Sequence, residues 1–504
     1  MKNRNRTVHG TGESDGCVVP TTSPNNGGPR SRGSAAEGFE GRRPTKENTT
    51  QRDLVPDSVP DMGEFCRLRG VRRRAQQDPQ ARFTALLHHV TVRLLTESFF
   101  ALKRTACPGV DGMTWREYET NLAARLTRLH ERVQRGTYRA QPSKRAYIPK
   151  ADGRLRPLGI AALEDKIVQR AVGEVLAHVY EADFLGFSYG FRPGRSQHDA
   201  LDALWVGLMR KRVNWVLDAD IRGFFDTLRH DWLRQFVEHR IADPRVLRLI
   251  EKWLRAGVSE DGEWSATEVG TPQGAVISPL LANIYLHYVF DLWVQRWRTH
   301  NATGAVIVVR YADDIVMGFE RRADADRCLA AWRSRLAQFG LELHPEKTRL
   351  LEFGREAARQ RQQRGEGKPE TFNFLGFTHI CGTTRKGRFT VRRKTMRTRL
   401  RAKLRHVKEQ LRQRWHESVP ALGRWLRRVV AGYCNYHAVP GNGSSVEGFR
   451  KAIGRLWLRA LQRRSQRGRR LTWTRFGPIV EYWLPLPRIL HPWPGVRFDA
   501  KHPR

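Results

Sequence analysis

Residues 305–319 read AVIVVRYADDIVMGF, in which two short apolar runs enclose the dipeptide Asp313–Asp314. Residues 305–309 and 315–319 are rich in β-branched and aromatic side chains, so we predict a hairpin with the acidic pair at its turn. Adjacent carboxylates repel each other, and a protein that binds no cation usually avoids placing them in a cleft. An Asp-Asp pair taken alone is more often a solvated acidic turn, but the strand-like flanks make this pair a candidate for metal binding.

A second acidic strand end lies upstream of the hairpin. Residues 213–219 form a predicted strand that leads into Asp220 and then into Gly223, Phe224 and Phe225. Mg²⁺ prefers hard oxygen ligands and takes only a few of them from protein. Three carboxylates from two neighbouring strand ends could hold two metal ions about 3.5–4 Å apart, which would activate a 3′-hydroxyl and stabilise a leaving pyrophosphate.

Composition indicates the class of partner. The chain has 504 residues, and its 90 Lys and Arg against 51 Asp and Glu give a formal net charge of +39, which predicts a polyanion at the surface. No apolar run is long enough to span a membrane, and the N-terminus lacks the apolar segment of a secretion signal. The six cysteines include no C-x-x-C pair, which excludes a disulfide framework and a zinc ribbon. We expect a soluble, cytoplasmic protein of bacterial type, associated with RNA or the nucleoid and without a membrane partner.

The chain changes in character along its length. Residues 1–62 hold one aromatic among many Gly, Ser, Pro and Asn, so we expect a disordered extension. Residues 80–104 have helical apolar spacing, and residues 144–160 read as a hairpin with a basic tip and a turn at 151–153. Residues 385–475 hold 27 Lys and Arg against 3 Asp and Glu, a net charge of +24 on helical patterns. A solvated helix face normally mixes charges of both signs, so phosphate is the expected counter-charge.

The middle of the chain has the pattern of a small α+β unit. Besides the strands above, we predict helices over residues 228–240 and 280–293 and two further short strands, 341–343 (LEL) and 348–353 (TRLLEF). The last 29 residues are rich in Pro and Trp and too short for a domain, and no internal repeat is present. The predicted fold class is therefore α+β.

Seven sequence blocks occur in the order of a known family. Residues 311–314 (YADD) look like the Y/F-A-D-D box of reverse transcriptases, and residues 219–226 (ADIRGFFD) resemble their first catalytic-aspartate block. The other blocks are IPK (148–150) with RPLGI (156–160), YGFRPGRS (189–196), GTPQG (270–274) with SPL (278–280), HPEKT (344–348) and FLGF (374–377). Over roughly residues 80–475 the chain is similar to the group II intron-encoded reverse transcriptases, also called maturases.

The resemblance implies a right-hand polymerase fold and a function. It implies an N-terminal segment with fingers at 63–200, a palm with an antiparallel sheet at 201–380, a helical thumb or maturase (X) domain at 385–475, and a tail at 476–504. It implies an RNA-directed DNA polymerase with two Mg²⁺ ions that binds its intron RNA and assists splicing and mobility. The implied partners are intron RNA, an RNA template with a DNA primer, deoxynucleoside triphosphates and target DNA. The oligomeric state stays open.

The resemblance also assigns roles to individual residues. The catalytic carboxylates would be Asp220, Asp313 and Asp314, and the metal positions are these three together with Ile221. Lys150 and Arg156 would hold the incoming triphosphate, although without the neighbouring blocks each would more often be a solvated basic side chain. The remaining nucleotide-binding positions are Phe225 beneath the sugar as a gate against a 2′-hydroxyl, Gln273 and Gly274 at the new base pair, and Lys347 near the strands or the primer phosphate. Their plainer interpretations are palm core, a loop before a helix, and a surface ion pair.

Two clusters of basic residues in the C-terminal region are the basis of the RNA-binding hypothesis. The proposed phosphate contacts are Arg392, Arg393, Lys394, Arg463, Arg464, Arg469 and Arg470. Residues 374–377 resemble the family's primer grip, but an aromatic β-turn that packs on the palm explains them equally well. Residues 432–437 (GYCNYH) look like the maturase motif, or else form a helix with aromatic core positions.

Other functions remain alternatives. A non-catalytic splicing factor would have no reason to retain three clustered carboxylates, and a retron, diversity-generating or defence reverse transcriptase fits the long basic thumb less well. Many relatives carry a C-terminal endonuclease with Cys pairs, and residues 476–504 contain none. We therefore expect no second-strand cleavage, and insertion would need another primer, such as a nascent strand at a replication fork.

Overall fold

The computed structural model describes residues 62–149, 155–260, 262–266, 269–271 and 274–503. The predicted disordered extension, apart from Met62, and the turn at 151–153 lie outside the described residues. The strands are β1 (Ser143–Pro149), β2 (Leu155–Ile160), β3 (Trp215–Asp220), β4 (Val258–Glu260), β5 (Glu263–Ser265), β6 (Val306–Tyr311), β7 (Asp314–Phe319), β8 (Arg349–Glu352), β9 (Phe372–Phe374), β10 (Phe377–Thr383) and β11 (Phe389–Thr395).

Helices make up most of the remaining structure. In the first half they are α1 (Met62–Gln77), α2 (Val92–Phe100), α3 (Trp115–Glu119), α4 (Leu122–Gln134), α5 (Leu163–Tyr180), α6 (Gln197–Arg210), α7 (Phe224–Thr227), α8 (His230–Glu238) and α9 (Pro244–Arg255). In the second half they are α10 (Ser278–Leu286), α11 (Leu292–His300), α12 (Arg322–Gln338), α13 (Arg355–Gln363), α14 (Arg397–Gln413), α15 (Val419–His437), α16 (Gly443–Gln462), α17 (Gln466–Arg469), α18 (Trp473–Trp483) and α19 (Pro494–Lys501). No helix in these described parts is long and apolar enough to cross a membrane.

A four-stranded antiparallel sheet, in the order β6-β7-β3-β8, lies at the centre of the molecule. The predicted acidic hairpin is confirmed, since β6 and β7 pair from Val306↔Phe319 to Tyr311↔Asp314. The predicted strand at 341–343 is wrong. Only an isolated bridge joins Leu343 to Ile221 there, so the sheet is not extended.

Side-chain alternation along the central strands builds two cores. Leu217, Val308 and Met317 point into a large core shared with the N-terminal helices and α8, α10 and α12. Their neighbours Val216 and Val316 point to the other face, against α6 and strands β9 to β11. Because both faces of the sheet are covered, apolar side chains point to both sides of these strands. Each fully buried apolar side chain contributes roughly 1.5–3 kcal/mol to the stability of the fold.

Two smaller sheets flank the central one. β1 and β2 form the predicted hairpin, in antiparallel register from Lys144↔Ile160 to Pro149↔Leu155, and β1 continues in parallel to β4. Strands β9, β10 and β11 form a three-stranded sheet. Residues 389–395, predicted as part of a helical stretch, are therefore the last strand of this sheet, and the C-terminal helices begin at Arg397.

The helix predicted over residues 80–104 is much shorter, because tertiary contacts take the backbone of its first half. Phe83 pairs with Ile241, and the carboxylate of Asp243 accepts from the backbone N–H groups of Leu86 and Leu87 at 2.7 and 3.0 Å. The helix itself begins only after Thr91, whose hydroxyl accepts from the Leu94 N–H and caps it. The helical spacing of apolar residues favours a helix over the whole stretch, but these tertiary hydrogen bonds hold its first half in another conformation.

The C-terminal helices form a third core between α14, α15, α16 and α18. Residues 484–503 then return to the central part of the chain, where α19 packs on α6. Arg210 pairs with Asp499 at 2.5 Å and Lys501 with Asp199 at 2.7 Å, and Arg497 pairs with the buried Asp202. This segment is therefore packed on α6 as part of the fold.

Candidate active site

The register of the central sheet gathers three carboxylates at one end and on one face. Asp220, the last residue of β3, lies directly opposite Asp314, the first residue of β7. Directly paired residues of antiparallel strands point to the same side, and residues two apart share that side. Asp218, Asp220 and Asp314 consequently share the face that carries Val216 and the three-stranded sheet, and Asp313 stands in the connecting turn.

The turn itself is a two-residue loop, Ala312 and Asp313, between Tyr311 and Asp314. Ala312 has φ = +57°, and a positive φ at the first central residue is the conformation that tight hairpins use. This region favours glycine, so an alanine there is held by its surroundings.

Burial and mutual repulsion perturb the carboxylates. The side chain of Asp314 is exposed at the start of β7, but desolvation by the surrounding protein raises its pKa to about 7, and the charges of Asp313 and Asp220 add to the rise. Burial likewise raises the pKa of Asp313, with Asp220 adding to it, and raises the pKa of Asp218 to about 6. Asp220, Asp313 and Asp314 thus lie close enough for their charges to repel one another, as in sites built for a cation.

The donor chemistry fits a divalent metal ion, since every candidate ligand is a hard carboxylate oxygen. Within the described residues, however, no three His, Cys, Asp or Glu side chains stand together as a ready-made ligand set. The ammonium of Lys347 lies 2.5 Å from Asp220 and neutralises part of the local charge. Lys347 contacts Asp220 Oδ2, so a cation at that oxygen would compete with this ammonium. Lys347 therefore lies at the carboxylates, not in a surface pair with its neighbour Glu346.

Ile221 offers only its backbone to this site, because its side chain is buried in the large core. The bridge between Ile221 and Leu343 is formed by the backbone N–H and carbonyl groups of the residues next to them in sequence. The Arg222 N–H donates to Glu342 O, and the His344 N–H donates to Asp220 O, each at 2.8 Å. The bridge does not use the Ile221 carbonyl, which is the atom that a metal position at this residue requires.

The predicted nucleotide-binding blocks converge beside the carboxylates. Arg156 is exposed on β2, and its charge opposes the rise in the pKa of Asp313. A Cβ at Gly274 would lie 2.8 Å from the carbonyl oxygen of Gly159, so only glycine lets this loop reach β2. The Thr271 N–H donates to the Phe225 carbonyl at 2.8 Å. Lys150 and Gln273 lie outside the described residues.

The two adjacent phenylalanines after Asp220 differ in environment. Phe224 is buried in the core, with its ring edge-on to Tyr285 at 6.4 Å. Phe225 is only partly buried and packs against the edge of the same core. Of the two rings, Phe225 is the one available to a ligand.

The basic cluster on β11 divides by strand alternation. Arg392 is exposed, and Lys394 is partly exposed and donates to the Ser444 hydroxyl at 2.9 Å. Arg393 is buried and forms an ion pair at 3.0 Å with the equally buried Asp202. Arg393 is therefore not available to phosphate, and its assignment to RNA binding is corrected to a structural ion pair.

The second basic cluster follows α16. Arg463, Arg469 and Arg470 are exposed. Arg464 is half-buried and donates to the Glu417 carbonyl at 2.8 Å, and burial lowers its pKa. Its role is to join α16 to the start of α15, so it too is removed from the proposed RNA contacts.

The structure agrees with the plainer interpretation of two aromatic motifs. Leu375 and Gly376, with φ of +45° and +83°, form the tight turn between β9 and β10, and Phe374 and Phe377 are buried against the central sheet. Tyr436, from the GYCNYH segment in α15, donates to the Leu375 carbonyl at 2.5 Å. These motifs join α15 to the sheet next to the carboxylates.

Four residues beside the hairpin were missed from the sequence. Arg399 in α14 approaches Asp314 closely enough to oppose the rise in its pKa. Arg310, Asp291 and Asn283 form a buried hydrogen-bonded group behind the turn. The available signal for that group was a charged residue inside each of two otherwise apolar runs, VIVVRY and YVFDLW.

Known proteins share this part of the chain. The family described as "Reverse transcriptase (RNA-dependent DNA polymerase)" matches residues 148–379, which include all the carboxylates above. Protein YkfC of Escherichia coli is 35% identical over 336 residues, which cover 58% of this chain and 87% of that protein. The group II intron-encoded protein LtrA of Lactococcus lactis is 41% identical over 164 residues, 32% of this chain. The chain belongs to the group II intron-encoded reverse transcriptases.

This reverse transcriptase is thus an RNA-directed DNA polymerase with nucleic acid substrates, from a family that uses divalent metal ions. Its similarity to intron proteins extends to a putative COX1/OXI3 intron 2 protein of Saccharomyces cerevisiae, which is 34% identical over 162 residues. The aligned segments cover 27% of LtrA and 19% of the yeast protein. The similarity to these intron proteins accordingly lies in one segment of each.

Proposed function

We propose that this reverse transcriptase extends a DNA primer along an RNA template by two-metal-ion nucleotidyl transfer, and that it binds the RNA of its group II intron to assist splicing and mobility. In this proposal β1 and β2 belong to the fingers, the central sheet is the palm, and α14 to α16 are the thumb. Asp220, Asp313 and Asp314 hold two Mg²⁺ ions. The observation that carries the proposal is the register of Asp220 opposite Asp314 beside the Ala312–Asp313 turn.

Each part of the site then has a task in the reaction. When bound, Mg²⁺ would lower the pKa of the primer 3′-hydroxyl and neutralise charge on the leaving pyrophosphate. Arg156 binds the triphosphate, because it is exposed and its charge reaches Asp313. Phe225 packs beneath the sugar, and Gly274 lets the loop approach the new base pair.

Primer extension tests the polymerase half of the proposal. With a DNA primer annealed to an RNA template, Mg²⁺ and deoxynucleoside triphosphates, we expect complementary deoxynucleotides to be added to the primer. A folded protein that binds the primer–template without extending it would instead be the non-catalytic splicing factor.

Exposed arginines after α16 provide the predicted salt dependence of RNA binding. Each phosphate contact to single-stranded or irregular RNA contributes a log–log slope of roughly −0.7 in affinity against salt. Changing Arg463, Arg469 and Arg470 together to Gln should therefore reduce the slope for intron RNA by about 2 units if all three contact phosphate. Filter binding across a salt series measures this slope, and circular dichroism checks that the helices remain intact.

A matched triple variant separates phosphate contacts from overall charge. Arg296, Arg322 and Arg333 are also exposed, on α11 and α12. α12 packs on the other face of the central sheet from β9 to β11. Their replacement by Gln removes the same charge and should leave the slope within about 0.5 units of the parent. Equal slopes for both triple variants would contradict RNA binding by the arginines after α16.

A further inference from the structure

Arg310 is fully buried directly behind the acidic turn. It pairs with Ile315 across the hairpin, which places its side chain on the face of the sheet opposite to Asp314. All the nitrogen atoms of its guanidinium donate hydrogen bonds, five in total. Nε and Nη2 donate to the two oxygens of Asp291 at 2.7 and 2.5 Å, and Nη2 also donates to the Ser188 hydroxyl at 2.7 Å. Nη1 donates to the side-chain oxygen of Asn283 at 2.9 Å and to the carbonyl of Ala312, in the turn itself, at 3.2 Å.

The partner of Arg310 comes from an unusual helical segment. Asp291 is the last residue of a π-helical turn (His287–Asp291) between α10 and α11, and it is fully buried. π-helical turns are rare and occur frequently at functional sites. The irregular turn and the ion pair it supplies therefore lie in contact with the hairpin that carries the acidic pair.

A second contact holds the turn through the loop at Gly190. The amide nitrogen of Asn283 donates to the Gly190 carbonyl at 2.6 Å, so the same asparagine joins Arg310 to the loop at Gly190. A Cβ at Gly190 would lie 2.3 Å from the Ala312 nitrogen, which shows how closely this loop packs on the turn. Ala312 thus contacts the Gly190 loop through its nitrogen and the guanidinium of Arg310 through its carbonyl.

Stability alone does not explain this arrangement. Replacing a buried ion pair with well-packed apolar residues of similar volume is often neutral or stabilising, because both charges lose their hydration. What the pair does provide is a fixed set of donors against one carbonyl. That carbonyl belongs to Ala312, the residue held at φ = +57° immediately before Asp313.

We propose that Arg310, held by Asp291 and Asn283, is a positioning residue that imposes the left-handed conformation of Ala312 and thereby sets the placement of Asp313 and Asp314. This inference rests on the proposed catalytic role of those two carboxylates. Arg310 touches neither substrate nor metal, and acts only through the backbone of the turn. A small displacement of reacting groups costs up to about 100-fold in rate, which sets the size of the effect.

The test replaces the ion pair as a unit. In the double variant Arg310→Met/Asp291→Leu, we expect the rate of single-nucleotide addition per bound primer to fall about 10–100-fold. The dissociation constant for primer–template should stay within about twofold, because no surface group changes. The matched control is Arg240→Met/Asp183→Leu, which removes another largely buried ion pair whose arginine also donates to backbone carbonyls, those of Ala75, Asp78 and Pro79.

Comparing the two double variants distinguishes a loss of protein stability from a change in the position of the turn. Melting temperatures are measured for both, since each leaves carbonyl groups without their donor. We expect comparable losses in stability but a loss in rate per bound primer only for the Arg310/Asp291 variant. An Arg310/Asp291 variant with the parent's rate, or a control variant that loses as much rate, would overturn the proposal.

A rescue experiment addresses the conformation of Ala312 directly. Glycine adopts positive φ without strain, so Ala312→Gly added to the Arg310/Asp291 variant should recover about tenfold in rate. Added to the Arg240/Asp183 control, it should change the rate no more than it does in the parent protein. Equal effects in all three backgrounds would show that the turn conformation does not depend on Arg310.

A second variant covers the case in which the double change prevents folding. Asn283→Ala leaves the Arg310–Asp291 pair intact but removes both the bond to Gly190 and the side-chain acceptor of Arg310 Nη1. We expect a smaller loss, about 5–10-fold, again relieved by Ala312→Gly. If a folded Asn283→Ala protein shows no loss of rate, the proposal is contradicted.

The variant Asp313→Asn distinguishes failure of the positioning role from failure of the proposed function. If Asp313→Asn keeps full polymerisation, the catalytic assignment is wrong. If Asp313→Asn is inactive and the Arg310/Asp291 variant is unaffected, only the positioning role is wrong.

Discussion

Asp313→Asn should abolish cDNA synthesis and leave binding of intron RNA and splicing assistance nearly unchanged. Asparagine has the same shape as aspartate but lacks the charge that holds a divalent ion, so polymerisation should fall on the order of 10³-fold or more. The basic surfaces around Arg392 and Arg463 are unaffected by the change. Primer extension on an RNA template and a splicing assay, performed on one preparation, measure the two activities separately.

A matched aspartate provides the control for this experiment. Asp326 lies in α12 and pairs with Arg322 at 3.5 Å in an exposed ion pair, which contributes little to stability. Asp326→Asn should therefore retain both activities within about twofold. If Asp313→Asn lost splicing assistance as well as polymerisation while remaining folded, the separation of a palm activity from an RNA-binding surface would be wrong.

The sequence predicted the elements whose local pattern agrees with their tertiary environment. The hairpin around the acidic pair, β3 and the β1–β2 hairpin all combine strand-forming residues with a turn or a strand end, and each was placed within a few residues. Asp220 could be paired with Asp313 and Asp314 because strand ends of one sheet meet at one edge. The order of the sequence blocks in the family then indicated which strands, although distant in sequence, lie next to each other in the sheet.

Other features depend on contacts that a local pattern does not contain. Arg393 lies in a run of three basic residues, yet strand alternation turns it inward to Asp202, whereas Arg392 faces outward. Arg464 is likewise one of two adjacent arginines just after α16, and its contact with the Glu417 carbonyl decides its role. The group behind the turn joins Arg310 to Asp291, from separate elements, and no spacing rule relates these positions.

Replacing Phe225 with Val should lower the discrimination between deoxynucleotides and ribonucleotides by about 10²-fold. The ring of Phe225 is the partly exposed one of the pair after Asp220, so it is the side chain that would clash with a 2′-hydroxyl. A clash of a few kcal/mol corresponds to this factor at ~1.4 kcal/mol per tenfold. Single-nucleotide incorporation with matched ribo- and deoxynucleoside triphosphates gives the ratio of kcat/KM values. Because Phe225 is only partly buried, the variant should remain folded.

Phe224→Val is the control that the chain itself supplies. Its ring is buried, contacts Phe225 edge-on at 5.4 Å and packs against Tyr285, so the change should cost roughly 1–3 kcal/mol of stability through the cavity it leaves. Nucleotide discrimination by the folded fraction should then stay close to that of the parent, because valine at 224 leaves the Phe225 ring in place. The opposite pattern, with discrimination lost in Phe224→Val and kept in Phe225→Val, would mean that the ring facing the sugar is Phe224. That outcome requires α7 to rotate when nucleotide binds, since Phe224 points into the core in this structure.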